Sequence, residues 1–173
     1  MNEDTLPYSD LKQVQELLYE KCDFELSRLT QHRESKEYGA CTFELNGHQI
    51  EHRISKITPT KTGQFVTIWK RNKNGQTEPF DSSDSIDFIV ITSKMNEQLG
   101  QFIFPKSVLA EKGIITHQGK VGKRGIRVYP SWDVTTNKQA EKTQRWQTNY
   151  FVLIEQNKAT DLHLTKKLLS KTI

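Results

Sequence analysis

Hydrophobic side chains recur along this chain at two different periods, and the change of period separates helix-forming from strand-forming segments. Residues 9–21 have a helical period, so we predict an amphipathic helix there, with Ser9 as its N-cap. Its apolar positions are Leu11, Val14, Leu17 and Leu18. Residues 24–38 carry many charged side chains around Leu26 and Leu29, which leaves an irregular segment or a second helix as alternatives.

From Ala40 onward apolar and polar residues alternate, which is typical of strands. Two alternating runs flank Asn46-Gly47, so we predict a β-hairpin. Residues 65–71 form a third predicted strand, which ends at a turn over residues 72–75. Further strands are predicted at residues 86–91, 101–104 and 125–129. The first is apolar enough to be a central strand covered on both faces, and the last is predicted to be the final strand of the chain.

Two more helices follow from the pattern. Pro105 is suited to the first turn of a short helix that Gly113 ends. A long helix is predicted over residues 137–154, with Thr136 and Gln139 at the spacing of a capping box. Its outer side carries Lys138, Lys142, Arg145 and Asn149. Residues after 155 are predicted to form a short terminal helix or a frayed end.

These elements predict a single α/β (α+β) domain spanning residues 1–173. Its mixed sheet of five to six strands is flanked by the N-terminal helix and the long C-terminal helix. The 173 residues, of which 34% are hydrophobic, suffice for a core, and the mean hydropathy of −0.71 is that of a hydrophilic protein. The chain has no apolar stretch of membrane-spanning length, so we expect a cytoplasmic protein without membrane contact. Cys22 and Cys41 are expected to be reduced and buried.

The charges are arranged in blocks along the chain. Residues 1–51 carry 11 acidic and 5 basic side chains, whereas residues 52–73 carry 6 basic ones and none that is acidic. Residues 74–104 are acidic again, and residues 105–145 hold 9 basic side chains against 3 acidic ones. The two basic blocks predict a binding surface for phosphates if they share one face; separate solvated faces are the alternative.

Residues 119–151 combine seven basic side chains with glycines and with Tyr129, Trp132 and Trp146. Positive charge beside aromatic rings favours nucleic acid as the partner, bound without a cofactor. We expect a monomer. The predicted contact residues are Lys56, Lys61, Lys70, Arg71, Lys123, Arg124, Arg127, Trp132, Lys138, Lys142 and Arg145.

Three features of this surface have two interpretations each. Residues 119–125 are either a mobile basic finger or a charged hairpin loop. Residues 58–64 are either a phosphate-contacting loop or a capped turn. Trp69 and Trp132 either stack on bases or pack against the core.

Signatures of other chemistry are missing from the sequence. It has no phosphate-binding loop of the Walker type, no nucleophile elbow and no paired histidines at zinc spacing. His48 and His52 share a face of a predicted strand but lie roughly 13 Å apart, too far for one zinc ion. We therefore predict no metal site.

Three long segments carry a resemblance to a known family: KITPTKTGQFVTIWKRN, GQFIFPKSVLAEKGI and GKRGIRVYPSWDVTTNKQAEKTQRWQ. They resemble the MepB family of small bacterial proteins over roughly residues 38–154. The resemblance implies a core like that of restriction endonucleases, which favours DNA over RNA as the partner, and a genomic setting beside multidrug efflux pumps. It leaves open a small-ligand or protein-interaction module linked to multidrug resistance.

A restriction-endonuclease-like core raises the alternative of a metal-dependent nuclease. Such enzymes hold Mg²⁺ with an Asp on one strand and an acid-x-Lys on the next. Asp87 is the candidate first acid, but the following strand reads Gln101-Phe102-Ile103. Glu51-His52-Arg53, on an earlier strand, is a distorted substitute. The sequence therefore favours a non-catalytic protein, with a degenerate nuclease around Asp87 as the alternative.

Overall fold

Residues 6–155 and 162–170 are described by the structure, a computed structural model, and they form eleven strands and four α-helices. The strands are β1 (Leu26–Gln31), β2 (Cys41–Leu45), β3 (His48–Ile54), β4 (Lys56–Ile57), β5 (Gln64–Thr67), β6 (Trp69–Arg71), β7 (Thr77–Pro79), β8 (Phe88–Met95), β9 (Gln98–Pro105), β10 (Gly125–Val128) and β11 (Phe151–Ile154). The helices are α1 (Ser9–Val14), α2 (Lys106–Glu111), α3 (Lys138–Gln147) and α4 (His163–Leu168). A π-helical turn (Gln15–Tyr19) and three 3-10 turns (Glu20–Cys22, Lys36–Tyr38 and Thr148–Tyr150) complete the helical segments.

The central sheet has six strands in the order β1-β2-β3-β8-β9-β11. β3 and β8 are parallel and every other neighbouring pair is antiparallel, so the predicted mixed α+β fold is confirmed. A three-stranded sheet in the order β10-β5-β4 and the β6-β7 ribbon are separate from it. Among the described residues, no helix is both long and apolar enough to cross a bilayer.

β8 lies in the middle of this sheet, as its apolar run predicts. Its first six residues are buried, and they alternate between two hydrophobic clusters. Phe88 and Val90 face the cluster that contains α1 and the end of α4, whereas Ile89 and Ile91 face the cluster that contains β5, β10 and α2. We call these the helical face and the second-sheet face. The core therefore has two layers, one on each side of the sheet.

The predicted N-terminal helix is confirmed, but its details differ. Helical backbone runs from Ser9 to Cys22 through α1, the π turn and a 3-10 turn. The prediction of Ser9 as the N-cap is wrong, because extended Tyr8 precedes the helix and makes no side-chain cap. Both alternatives for residues 24–38, an irregular segment and a second helix, missed β1, which occupies part of this range. β1 is an edge strand, partly exposed and interrupted by a bulge where Arg28 has φ 55°, so it lacks a two-residue hydrophobic period.

Two predicted strands of the chain's middle are altered by tertiary contacts. Residues 65–71 do not form one strand, because Ile68 separates β5 from β6 and the two strands join different sheets. The Ile68 amide donates to the Arg124 carbonyl oxygen at 2.8 Å, which fixes this break. β10 is present as predicted, but it pairs with β5 and is not the last strand.

The long C-terminal helix is shorter than its pattern predicts. α3 ends at Gln147, and residues 151–154 leave the helix to pair with β9 as β11. Gly100 makes this pairing possible, since a Cβ atom there would lie 2.2 Å from the Phe151 ring. The predicted capping box is wrong as well: the Asn137 side chain caps α3 by accepting from the Ala140 amide at 2.8 Å.

A buried polar network lies on the helical face. His52 is fully buried; its Nδ1 donates to the Gly39 carbonyl oxygen at 3.0 Å and its Nε2 accepts from the Thr92 hydroxyl at 2.9 Å. Gln101 donates to the same Thr92 oxygen and accepts from the Tyr19 hydroxyl. Burial lowers the pKa of His52 to about 4, so its imidazole is neutral in the folded protein.

We expect His52 to make folding stability depend on pH. Its folded pKa lies below the ordinary value of 6.5, so its contribution is complete above pH 6.5 and is lost as pH falls toward 4. The loss amounts to about 3 kcal/mol for a shift of this size. Urea unfolding of the wild type and of His52→Gln at several pH values measures it. The stability difference between the two proteins should shrink with acidity; a difference independent of pH contradicts this role for His52.

Candidate nucleic-acid interface

An open groove of about 820 Å³ lies between the β5-β10 strands and α3. One wall is the loop of residues 60–62 with β10, and the other is the side of α3 that carries Thr143 and Trp146. We call it the basic groove. Its cations are Lys61, Lys112, Lys123 and Arg127.

Strand pairing brings two distant parts of the chain to this groove. β5 and β10 pair antiparallel, with Arg127 opposite Phe65. The Arg127 guanidinium then donates from Nη1 to the Thr58 hydroxyl at 3.0 Å and to the carbonyl oxygens of Thr62 and Gly63 at 3.3 and 3.2 Å. Arg127 therefore holds the 58–63 loop against β10. This arginine, predicted from the sequence to contact phosphate, has a structural role.

Gly63 lets this loop approach β10 closely. It has φ +84°, and a Cβ atom there would lie 2.7 Å from the Tyr129 ring. Its amide donates to Asp133, whose pKa is raised because burial of the carboxyl group outweighs this hydrogen bond. The loop is thus held from two sides, by Arg127 and by Asp133. This agrees with the capped-turn interpretation of residues 58–64 and still presents Lys61 to solvent.

Two glutamines of α3 hold this helix against the wall of the groove that contains β10. Gln147 is 1% exposed; it accepts from the Tyr129 amide at 2.8 Å and donates to the Arg127 carbonyl oxygen at 3.1 Å. Gln144 donates to the carbonyl oxygens of Pro130 and Asp133 at 3.0 and 2.9 Å. The groove is therefore built by hydrogen bonds between its walls and has a defined width.

The charged side chains among the described residues that line the groove are all positive. Among the described residues that line it, four are cationic and none is acidic. Lys61 and Lys123 form no ion pair with any described residue, and the Lys112 ammonium lies 5.3 Å from the Trp146 ring centroid. The potential in the groove is accordingly positive and available to an anion.

Three aromatic rings line the same groove: Phe65, Tyr129 and Trp146. Each is partly exposed. Trp146 is supported from behind by Phe104, with ring centroids 5.4 Å apart. The spacing of Trp146 from Gln139 and Thr143 indicates that these side chains share a side of α3, so the sequence held a signal for Trp146. It held none for Lys112, which reaches the groove through the packing of α2.

The other predicted contact residues lie outside the groove lining. Lys70 pairs with Asp84 at 2.6 Å, and Arg71 pairs with Glu34 at 2.6 Å. Arg124 donates to the Thr77 carbonyl oxygen at 3.0 Å. The Lys56 ammonium lies 4.7 Å from the Tyr38 ring, and Arg145 pairs with Glu141. Lys138 and Lys142 are exposed on α3 and do not line the groove.

Trp132 packs against the core, one of the two interpretations of its sequence context. Its ring meets Phe151 edge to face, with centroids 5.6 Å apart, on the second-sheet face. Residues 119–125 are largely exposed, but the segment is anchored at Gly122 and Lys123. A Cβ atom on Gly122 would lie 2.5 Å from the Ile114 carbonyl oxygen, and the Lys123 amide donates to that oxygen at 2.8 Å. This favours the charged hairpin loop over a mobile finger.

Asp87 makes hydrogen bonds with neighbouring backbone groups. Its carboxylate accepts from the Gln49 amide at 2.8 Å, and its carbonyl oxygen accepts from the Lys106 amide at 3.0 Å. Within the described part of the chain, no three His, Cys, Asp or Glu side chains come together in a way that fits a metal ion. The following strand, β9, carries no acidic side chain, so it does not supply the second carboxylate of the nuclease motif.

A second cavity of about 200 Å³ lies between β3, β6 and the 32–35 segment. At its base, Glu51 and Arg53 are 3% and 2% exposed, and their Oε1 and Nη1 atoms are 2.5 Å apart. His32 contacts the same Oε1 atom at 2.8 Å. Arg53 Nε has no hydrogen-bond partner among the described residues. The positive charge of the buried Arg53 guanidinium is therefore balanced by the Glu51 carboxylate.

Removing one partner of this pair should destabilise the protein more than removing both. Glu51→Gln leaves the Arg53 charge buried without an anion, and we expect a loss of about 3–5 kcal/mol in the free energy of unfolding. The double variant Glu51→Leu/Arg53→Met should be more stable than Glu51→Gln, because no uncompensated charge remains. Denaturant unfolding of both variants checks this. A double variant less stable than Glu51→Gln contradicts the interpretation.

Comparison with known proteins gives the relationships of this chain. A family model described as MepB-like matches residues 32–153. The crystal structure of MepB is similar over 87% of this chain and 99% of its own, with 34% sequence identity and a TM-score of 0.73. A bacterial homing endonuclease structure is similar over 81% of this chain and 86% of its own, at 13% identity and a TM-score of 0.46, which is too low to carry an argument. No curated protein matches. By its family match and by its similarity to MepB, the chain belongs to the MepB-like family.

Proposed function

We propose that this protein binds nucleic acid in the basic groove. The observation that carries the proposal is the lining itself: four cations from both basic blocks of the sequence, with no acidic side chain among the described lining residues. A polyanion that enters the groove meets Lys61 and Lys123 near the wall formed by β10, and Lys112 beside Trp146 of α3. It gains attraction from each of these ammonium groups without repulsion from a neighbouring carboxylate.

The other predicted cations contribute less to such binding. The charges of Lys70, Arg71 and Arg145 are compensated by ion pairs. A phosphate that binds to one of them must compete with a carboxylate, whereas a phosphate at Lys61 or Lys123 competes only with solvent and salt. The groove, rather than the whole length of the two basic blocks, is therefore the proposed interface.

Charge also separates this proposal from a role in binding small drug-like molecules. A groove with four cations repels a hydrophobic cation, the type of ligand that the drug-resistance alternative requires. Hydroxyl and amide groups of Thr60, Thr62, Thr136, Asn137 and Gln139 line the groove beside the cations. Such groups donate hydrogen bonds to phosphate and sugar oxygens. The chemistry of the lining thus favours a phosphate polymer.

A binding titration at several salt concentrations tests the proposal. We expect the logarithm of the affinity to fall with the logarithm of salt concentration with a slope of about −3 to −4, since up to four phosphates are neutralised. Fluorescence anisotropy with a labelled oligonucleotide provides the measurement. Absence of binding at low salt, or an affinity that does not change with salt, contradicts the proposal.

Matched lysine variants locate the interface. Lys61→Ala and Lys123→Ala should each weaken binding and reduce the magnitude of the salt slope by about one. Lys142→Ala is the control, because it removes the same charge from the exposed side of α3 outside the groove lining. Equal losses in all three variants would show binding to a diffuse basic surface and would overturn the groove as its site.

A further inference from the structure

We propose that Ser82 is a nucleophile activated by His117, and that the cavity beside them takes a neutral carboxylic ester. The Ser82 hydroxyl donates to Nδ1 of His117 at 2.8 Å, and both side chains line an open cavity of about 610 Å³. A hydroxyl group within hydrogen-bond reach of an imidazole base is the arrangement on which nucleophilic serine chemistry depends. The activity is separate from nucleic-acid binding, because neither residue is among the described residues that line the basic groove.

Backbone hydrogen bonds fix the positions of both residues. The Ser82 amide donates to the Thr116 carbonyl oxygen at 2.9 Å, and the Thr116 amide donates to the Phe80 carbonyl oxygen at 2.8 Å. His117 begins a tight turn that is closed by reciprocal backbone hydrogen bonds with Lys120 at 3.0 Å. Nucleophile and base are thus placed by the backbone of two segments 35 residues apart, so little reorganisation precedes their reaction.

The Asp81 carboxylate supports the imidazolium that forms when His117 takes a proton. Hydrogen bonds from the amide and the hydroxyl of Ser83, both at 2.9 Å, lower the pKa of Asp81, with smaller contributions from Lys70 and His117. An anion within electrostatic reach of His117 favours the imidazolium, although solvent weakens the attraction because Asp81 is partly exposed. The Ser83 hydroxyl is occupied by this contact, whereas the Ser82 hydroxyl donates to the imidazole.

The lining of the cavity favours a neutral substrate with an apolar acyl group. Besides His117, its titratable side chains are Lys106 and Glu111, one of each sign, and the rest of the lining is mostly apolar. A phosphate ester therefore meets no excess of positive charge here, in contrast to the basic groove. The Lys106 ammonium donates to the Asp84 carbonyl oxygen, and its other N–H groups can donate to an oxygen that becomes negative in the reaction.

The reaction needs water as its only co-reactant. Ser82 Oγ forms a bond to the ester carbonyl carbon while its proton passes to Nδ1 of His117. The bond from the acyl carbon to the alcohol oxygen then breaks, and the leaving alkoxide takes this proton to give the alcohol. A water molecule next attacks the acyl carbon held by Ser82, and His117 accepts its proton. Ser82 Oγ leaves and regains that proton, with release of the carboxylic acid.

A fluorophosphonate probe, which phosphonylates activated serines with loss of hydrogen fluoride, tests the nucleophile. We expect mass spectrometry to find a label on Ser82 of the wild-type protein and none on the Ser82→Ala variant. Ser85→Ala is the matched control, since Ser85 is exposed on the same loop and is not among the described residues that line the cavity. It should be labelled as the wild type is. A wild-type protein that stays unlabelled, or is labelled only at other residues, overturns the proposal.

His117→Gln separates base catalysis from packing, because glutamine keeps a hydrogen-bond acceptor for the Ser82 hydroxyl but cannot take its proton. We expect this variant to be labelled on the order of a hundredfold more slowly, and its hydrolysis of p-nitrophenyl butyrate to fall by a similar factor. Thermal unfolding verifies that the variants fold. Wild-type rates in folded His117→Gln contradict the role of His117 as the base. Wild-type hydrolysis by folded Ser82→Ala overturns the proposal even if His117→Gln does not fold.

Discussion

The pairing of β5 with β10 is the interaction on which the basic groove depends. It joins segments that are far apart in the sequence, and the Arg127 guanidinium then reaches the Gly63 carbonyl oxygen, 64 residues away. Gly63, Asp133 and Gln147 fix the same junction from other directions. The walls of the groove are consequently part of the packed core of the second-sheet face, and its cations project from a framework held by backbone hydrogen bonds. A groove of this kind would need little reorganisation to admit the proposed ligand.

β3 shows how one strand serves two different interiors. Its alternating side chains send His52 into the helical face and Glu51 and Arg53 into the second-sheet face. Each group is buried, and each is compensated by specific hydrogen bonds or an ion pair. His52 remains neutral because burial disfavours its charged form, whereas Glu51 and Arg53 form a buried ion pair. Polar residues in both layers thus give this sheet a defined arrangement at the cost of sensitivity to single substitutions.

Ion pairing with acidic side chains separates the basic residues into two groups. Lys70 and Arg71 have carboxylate partners from acidic stretches of the chain, so much of their positive potential is cancelled locally. Lys61 and Lys123 lie where the described residues offer no carboxylate within ion-pair distance. A count of basic residues along the sequence does not separate these two groups. Their difference arises from which acidic segments fold beside them.

The sequence by itself determined the elements whose signal is local. The Asn46-Gly47 hairpin, the doubly buried β8 and the helix after Pro105 follow from turn chemistry, from continuous hydrophobicity and from proline geometry. It also marked the two basic blocks and the motifs of the MepB-like family. Only the tertiary structure decided that Phe151 leaves a helical pattern to pair with Phe102, with its ring packed on Gly100. It also decided that Ile68 interrupts a strand, where its amide donates a hydrogen bond to the Arg124 carbonyl oxygen. It likewise decided that Lys112 and Trp146 share a groove with Lys61. The reason is physical: periodicity records the face that a residue buries, whereas pairing partners and charge compensation depend on residues that are distant in the chain.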